Sequence, residues 1–156
     1  MFLDPLDVRQ VGWASGRPVF MTLAPLRYRS DLLDETIVVP TYFVSDLASA
    51  PRVPVLWLAV GGRGPRPSVG HDFPYQFGFW LLEGGGRRYV RKDEVDAVFY
   101  ESLLADPMSG AGPVRAWEMW AGVRLNLNGG VWGDRARRRL LNPIWDANGA
   151  PGWDAP

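Results

Sequence analysis

The chain has 156 residues, 47% of them apolar, and seventeen Lys and Arg against seventeen Asp and Glu; that length holds one domain with a proper core, and the balanced charge gives nucleic acid or an anionic membrane no long-range attraction. There is no cysteine and one histidine, which excludes disulfides, thiol nucleophiles and thiolate metal sites and leaves zinc a single nitrogen ligand. A hard cation held by carboxylates and carbonyls stays open.

The opening stretch "MFLDPLDVRQ" has neither a basic n-region nor an apolar h-region, so it does not read as a secretory signal. "PVFMTLAPLRY" and "TIVVPTYFV" carry β-branched and aromatic residues with prolines at their edges, the pattern of strands. "SDLASAPRVP" is turn-rich, and "VPVLWLAV" at 53 to 60 is strand or buried helix, too short to span a bilayer. "GGRGPRPS" is a loop.

Three helices follow. The first is expected from Ser68 or Asp72 to Leu82, ending at the glycines 84 to 86; the second from about Lys92 to Leu104, with Asp93 and Glu94 at its positive N-terminal end; the third from Pro113 to about Leu127, ended by "NGG". The fold class is therefore α+β. A β-rich lobe (1–66) and a three-helix part (67–141) form one domain, followed by an irregular tail, 142–156.

His71, Tyr75, Gly78 and Leu82 fall on one face of the first helix, and Asp72 points about 100° away from it. Asp96, Phe99, Tyr100 and Leu103 make a buried stripe on the second helix with a carboxylate at its head. A buried carboxylate is costly unless something hydrogen-bonds or neutralises it. If the two helices are antiparallel neighbours, Asp96 accepts from one ring nitrogen of His71 and the other handles a proton. The alternatives are a core histidine, an N-cap role for Asp72 with Pro74 in the first turn, and pairing of Asp96 with Arg91 or Arg124. Ala116, Met119, Trp120, Val123 and Leu127 form the third apolar stripe, expected to pack across the other two helices.

Lys92 is the only lysine, which coding bias in a GC-rich genome explains. Ser49 lacks a nucleophile elbow, "GGRGPRPS" lacks the Lys-Ser/Thr of a phosphate loop, and "RARRRLL" reads as a solvated basic turn with no nucleic-acid role. Trp145 and Trp153 lie in the irregular tail, where they suit anchoring into a neighbouring subunit.

"GHDFPY", then "DAVFYESLL" and "AWEMWAGVR", resemble the pattern of bacterial and fungal phospholipases A2, with residues 79 to 90 as an insertion. The resemblance implies His71 as the base that activates a water, Asp96 as its orienter and Asp72 as a ligand for Ca2+ together with carbonyls of an upstream loop. The disulfides of secreted members are absent, and "GGRG" lacks the spacing of the calcium loop. "VPTYFVSDLASAPR", then "HDFPY" and "VDAVF", are similar to a phage-encoded family of unknown function, domain-of-unknown-function family 1353. That second likeness spans about residues 38 to 127 and includes Asp46 and Ser49. Asp46 then stands either as a second carboxylate beside Asp72 for calcium or magnesium, or as an Asx-type turn.

Two functional expectations follow. One is a hydrolase-like His/Asp site acting on an ester or amide of the host envelope during lysis or entry. The other is a non-catalytic tail or tail-tip protein whose partners are other phage structural proteins. Both place synthesis in the host cytoplasm, with no transmembrane segment, and the second adds the virion.

Overall fold

In the computed structural model the described residues are 1–14, 17–46, 66–106, 112–125, Trp132 and Asn142. Among these residues the strands form two antiparallel sheets. In one, β1 (Val8–Ala14) pairs with β2 (Arg17–Thr22), whose other edge takes the short β5 (Val44–Ser45). The register of β1 shifts between Gln10 and Gly12, a bulge that breaks the period of two; the sequence reading accordingly passes over this strand.

In the other sheet, β3 (Leu26–Ser30) and β4 (Glu35–Val39) form a hairpin. Leu26, Tyr28 and Ser30 alternate inward against Arg27 and Arg29, the signature of a half-buried strand. Ile37, Val38 and Val39 are all buried, as in a strand covered on both faces.

The first helix opens and ends earlier than expected, and the segment after it is not helical. α1 spans Arg66–Phe77, and Gly78 ends it at φ 77° with its N–H on the Pro74 carbonyl at 2.7 Å. Phe79–Leu82 then becomes β6, which pairs with β4, and the glycines 84 to 86 turn the chain into β7 (Arg87–Tyr89). Residues 79 to 90, the segment set apart as an insertion in the phospholipase resemblance, therefore form a hairpin that completes the order β3-β4-β6-β7. A four-residue apolar run suits helix or strand equally; here the left-handed Gly78 ends the helix and pairing with β4 makes the run a strand. Neither Gly78 nor Leu82 belongs to the His71 helix face.

Asp72 is inside α1, because the helix opens at Arg66; the N-cap reading is corrected. Pro74 is also inside. It lacks the N–H that would bond the Gly70 carbonyl four residues back. The Trp80 indole N–H of β6 donates to that carbonyl at 3.3 Å instead.

α2 (Lys92–Ala105) keeps its expected limits, with Asp93 and Glu94 in the first turn. α3 runs Pro113–Arg124 with Pro at its start. α1 packs on α2 and on both sheets, and α2 also reaches β3 directly, over a core that includes Val39, Phe43, Phe73, Trp80 and Val95. α3 packs chiefly on α2 instead of across both helices: Ala116, Met119 and Val123 meet Phe99 and Leu103 in a second apolar cluster. Asn142, where the irregular tail was expected to begin, is docked. It accepts from Val44 N at 2.7 Å and donates to Val44 O at 2.8 Å and to Gln76 Oε1 at 2.7 Å, so its amide acts as a strand partner for β5.

The turn from β4 to β5 holds Tyr42 at φ 66°, a residue 60% exposed. Thr22 fixes it, accepting from Tyr42 N at 2.8 Å and giving its hydroxyl to the Pro40 carbonyl at 2.7 Å. A left-handed aromatic costs about 1–2 kcal/mol, partly offset on replacement by glycine's extra unfolded-state entropy. Tyr42→Gly is therefore expected to stabilise the fold by about 0.5–1 kcal/mol in urea denaturation. A lower midpoint would show that contacts of the ring outweigh the backbone cost.

Candidate functional site

α1 and α2 bring His71 and Asp96 together. His71 Nε2 lies 3.2 Å from Asp96 Oδ1, and the Tyr75 hydroxyl donates to the same oxygen at 2.7 Å. Asp96 Oδ2 takes the Lys92 ammonium at 2.7 Å, and the guanidinium of Arg124 stands 3.7 Å away. Lys92 also donates to the Val123 carbonyl of α3 at 3.2 Å. Of the two arginines considered as partners of Asp96, Arg124 approaches it, while Arg91 pairs with Asp93 at 3.2 Å.

The Asp96 side chain is 0% exposed. Burial alone would raise its carboxyl pKa; hydrogen bonds from His71, Lys92 and Tyr75 outweigh burial and hold it at about 2, below the ordinary 3.8. An ionised carboxylate only accepts, so His71 Nε2 must carry a hydrogen. In the neutral ring the basic lone pair then belongs to Nδ1. Burial pushes the Tyr75 hydroxyl up, reinforced by its bond to Asp96, so it remains a donor at neutral pH.

The imidazole is packed against the rings of Tyr75 and Phe99, with centroids at 4.1 and 4.5 Å, and its side chain is 1% exposed. Beside it lies a cavity of about 10 Å³, also bordered by Tyr28, Gly70, Trp80 and Ser102, room for roughly one water. The Trp132 ring meets Tyr75 edge-on at 5.0 Å.

Asp72 serves a different partner, as its angular offset from His71 requires: it accepts from the Ser45 hydroxyl of β5. Asp46 directly follows Ser45. Calcium asks for about six to eight oxygen ligands, and no group of three or more His, Asp or Glu suited to a metal forms among the described residues. Asp72 and Asp46 by themselves do not make that set. The "GGRG" loop, Ser49, the "VPVLWLAV" run, the basic "RARRRLL" turn, Trp145 and Trp153 lie outside the described residues. No helix among the described residues is long and apolar enough to cross a membrane.

The sequence reading missed the roles of Tyr75 and Lys92. Both signals were spacings of four residues: Tyr75 follows His71 by one helical turn, and Lys92 precedes Asp96 by one.

A family model described as "Protein of unknown function (DUF1353)" matches residues 20–123. The match takes in His71, Asp72, Lys92 and Asp96 and ends at Val123, whose carbonyl Lys92 bonds. No curated protein and no solved structure matches the chain.

Proposed function

Since the chain belongs to the DUF1353 family, whose description names no reaction, we propose its function from the site itself: a hydrolase, phage-encoded, that cleaves an ester or amide of the bacterial envelope with His71 as general base. The carrying observation is the His71–Asp96 contact at 3.2 Å. With Nε2–H committed to Asp96, Nδ1 takes a proton from a water as its oxygen attacks the substrate carbonyl. Asp96 stabilises the imidazolium that results, and the ring returns the proton to the leaving oxygen or nitrogen. The resemblance to phospholipases A2 supports the same assignment of base and orienter. The buried ring makes substrate entry dependent on an opening motion.

That burial favours a second reading, in which the same network is structural and the protein is a tail or tail-tip component, with Trp145 and Trp153 as anchors to neighbouring subunits. His71→Ala separates the two. Lipid and cell-wall hydrolysis is expected to fall by about a hundred- to ten-thousand-fold while the circular dichroism stays that of the folded chain. Hydrolysis unaffected by the substitution ends the enzymatic reading. An inactive wild-type protein present in fixed copies in purified particles establishes the structural one.

A further inference from the structure

We propose that Lys92 is the positioning residue of the His71–Asp96 pair, turning the Asp96 carboxylate so that Oδ1 faces the imidazole. The inference rests on the pair being the working site. The two oxygens of Asp96 have separate duties: Oδ1 accepts from Tyr75 and His71, while Oδ2 accepts from Lys92 at 2.7 Å. The bond at Oδ2 sets the rotation of the carboxylate, and with it the direction of the lone pairs that His71 meets. Arg124 approaches Oδ2 only to 3.7 Å, beyond hydrogen-bond reach, so it contributes charge without orientation.

The identity of the residue fits this duty. Lys92 is the only lysine among seventeen basic residues. Its ammonium meets Asp96 Oδ2 and the Val123 carbonyl, and lies 5.6 Å from the centre of the Tyr75 ring. A compact ammonium with three rotatable donors can serve partners in three directions; a planar guanidinium presents its donors in one plane. Composition accounts for arginine elsewhere, and this geometry accounts for lysine here. Because Val123 belongs to α3 and Asp96 to α2, Lys92 also makes the orientation of the pair depend on the docking of α3.

The test uses the fact that the chain has one histidine and one lysine, so each gives a single side-chain nitrogen spectrum. In the wild-type protein the ring of His71 is expected in one tautomer, Nε2–H, and the Lys92 ammonium as a slowly exchanging, ordered signal. A mobile, fast-exchanging ammonium in the wild type overturns the proposal without any variant. In Lys92→Met and in Lys92→Arg the Nδ1–H form of His71 is expected to appear, because Tyr75 alone then holds Asp96, at Oδ1, and nothing fixes the turn of the carboxylate at Oδ2. In Arg124→Gln, which removes a charge but no orienting bond, the spectrum is expected to stay unchanged. A single Nε2–H form persisting in folded Lys92→Met, or the same mixture in Arg124→Gln, overturns the proposal. These spectra do not depend on turnover, so failure of the hydrolase reading and failure of the positioning role remain distinguishable.

Discussion

Asp96→Ala is expected to destabilise the fold by about 3–5 kcal/mol, the usual result of removing one partner from a buried charged network. The substitution leaves the Tyr75 hydroxyl, the His71 N–H and the Lys92 ammonium without their common acceptor. Lys92, 31% exposed, can turn to water; His71, 1% exposed, cannot. Asp96→Asn keeps a carbonyl for Tyr75 and His71 and is expected to cost less. Urea denaturation of the three proteins measures both effects, and a loss under about 1 kcal/mol for the alanine variant would mean that the network is no better than hydrocarbon at this position.

The same group predicts the acid response. Folding lowers the Asp96 carboxyl from 3.8 to about 2, so its contribution is present above the unfolded value and is lost as pH falls through the folded one. The shift corresponds to about 2 kcal/mol. Wild-type stability should therefore drop between those two values, whereas Asp96→Ala should lack this part of the slope. Parallel acid limbs for both proteins would show that other carboxylates dominate.

Trp80→Ala is the other change with a large expected effect, about 3–5 kcal/mol. Trp80 is 1% exposed in the middle of its sheet and borders the cavity at His71. Its removal takes away the largest fully buried side chain among the described residues and the donor that Gly70 receives in place of the Pro74 N–H. Trp80→Phe isolates the second effect: it keeps a ring but no donor, and is expected to cost about 1–2 kcal/mol beyond the change in volume. Pro74→Ala restores a backbone N–H to the helix. In the double variant Pro74→Ala/Trp80→Phe most of the hydrogen-bond loss should be recovered, which a double-mutant cycle by urea denaturation reads directly. Strict additivity would mean that the indole and the proline are not complementary.

Much of this arrangement was readable before any coordinates. The α+β class, the limits of the second helix and the burial of Asp96, Phe99 and Leu103 follow from residue spacing, because periodicity records which side of an element meets the core. The contact of His71 with Asp96 was readable too, since a carboxylate heading a buried stripe needs a donor and one histidine was at hand. The end of the first helix was not. Phe79, Trp80 and Leu81 suit helix and strand alike, and the β6 pairing with β4 comes from residues some forty positions earlier in the chain.

The amino-acid order by itself determined which faces are apolar and which polar groups must find partners inside, because those are properties of single side chains at helical or strand spacing. Beyond the His71–Asp96 pair, tertiary structure decided who the partners are. Ser45 of β5 reaches Asp72 on α1, Trp80 replaces the donor that Pro74 lacks, and Lys92 joins Asp96 to the last turn of α3. The directions and distances of such bonds exist only once separate elements have packed, and no local periodicity encodes them.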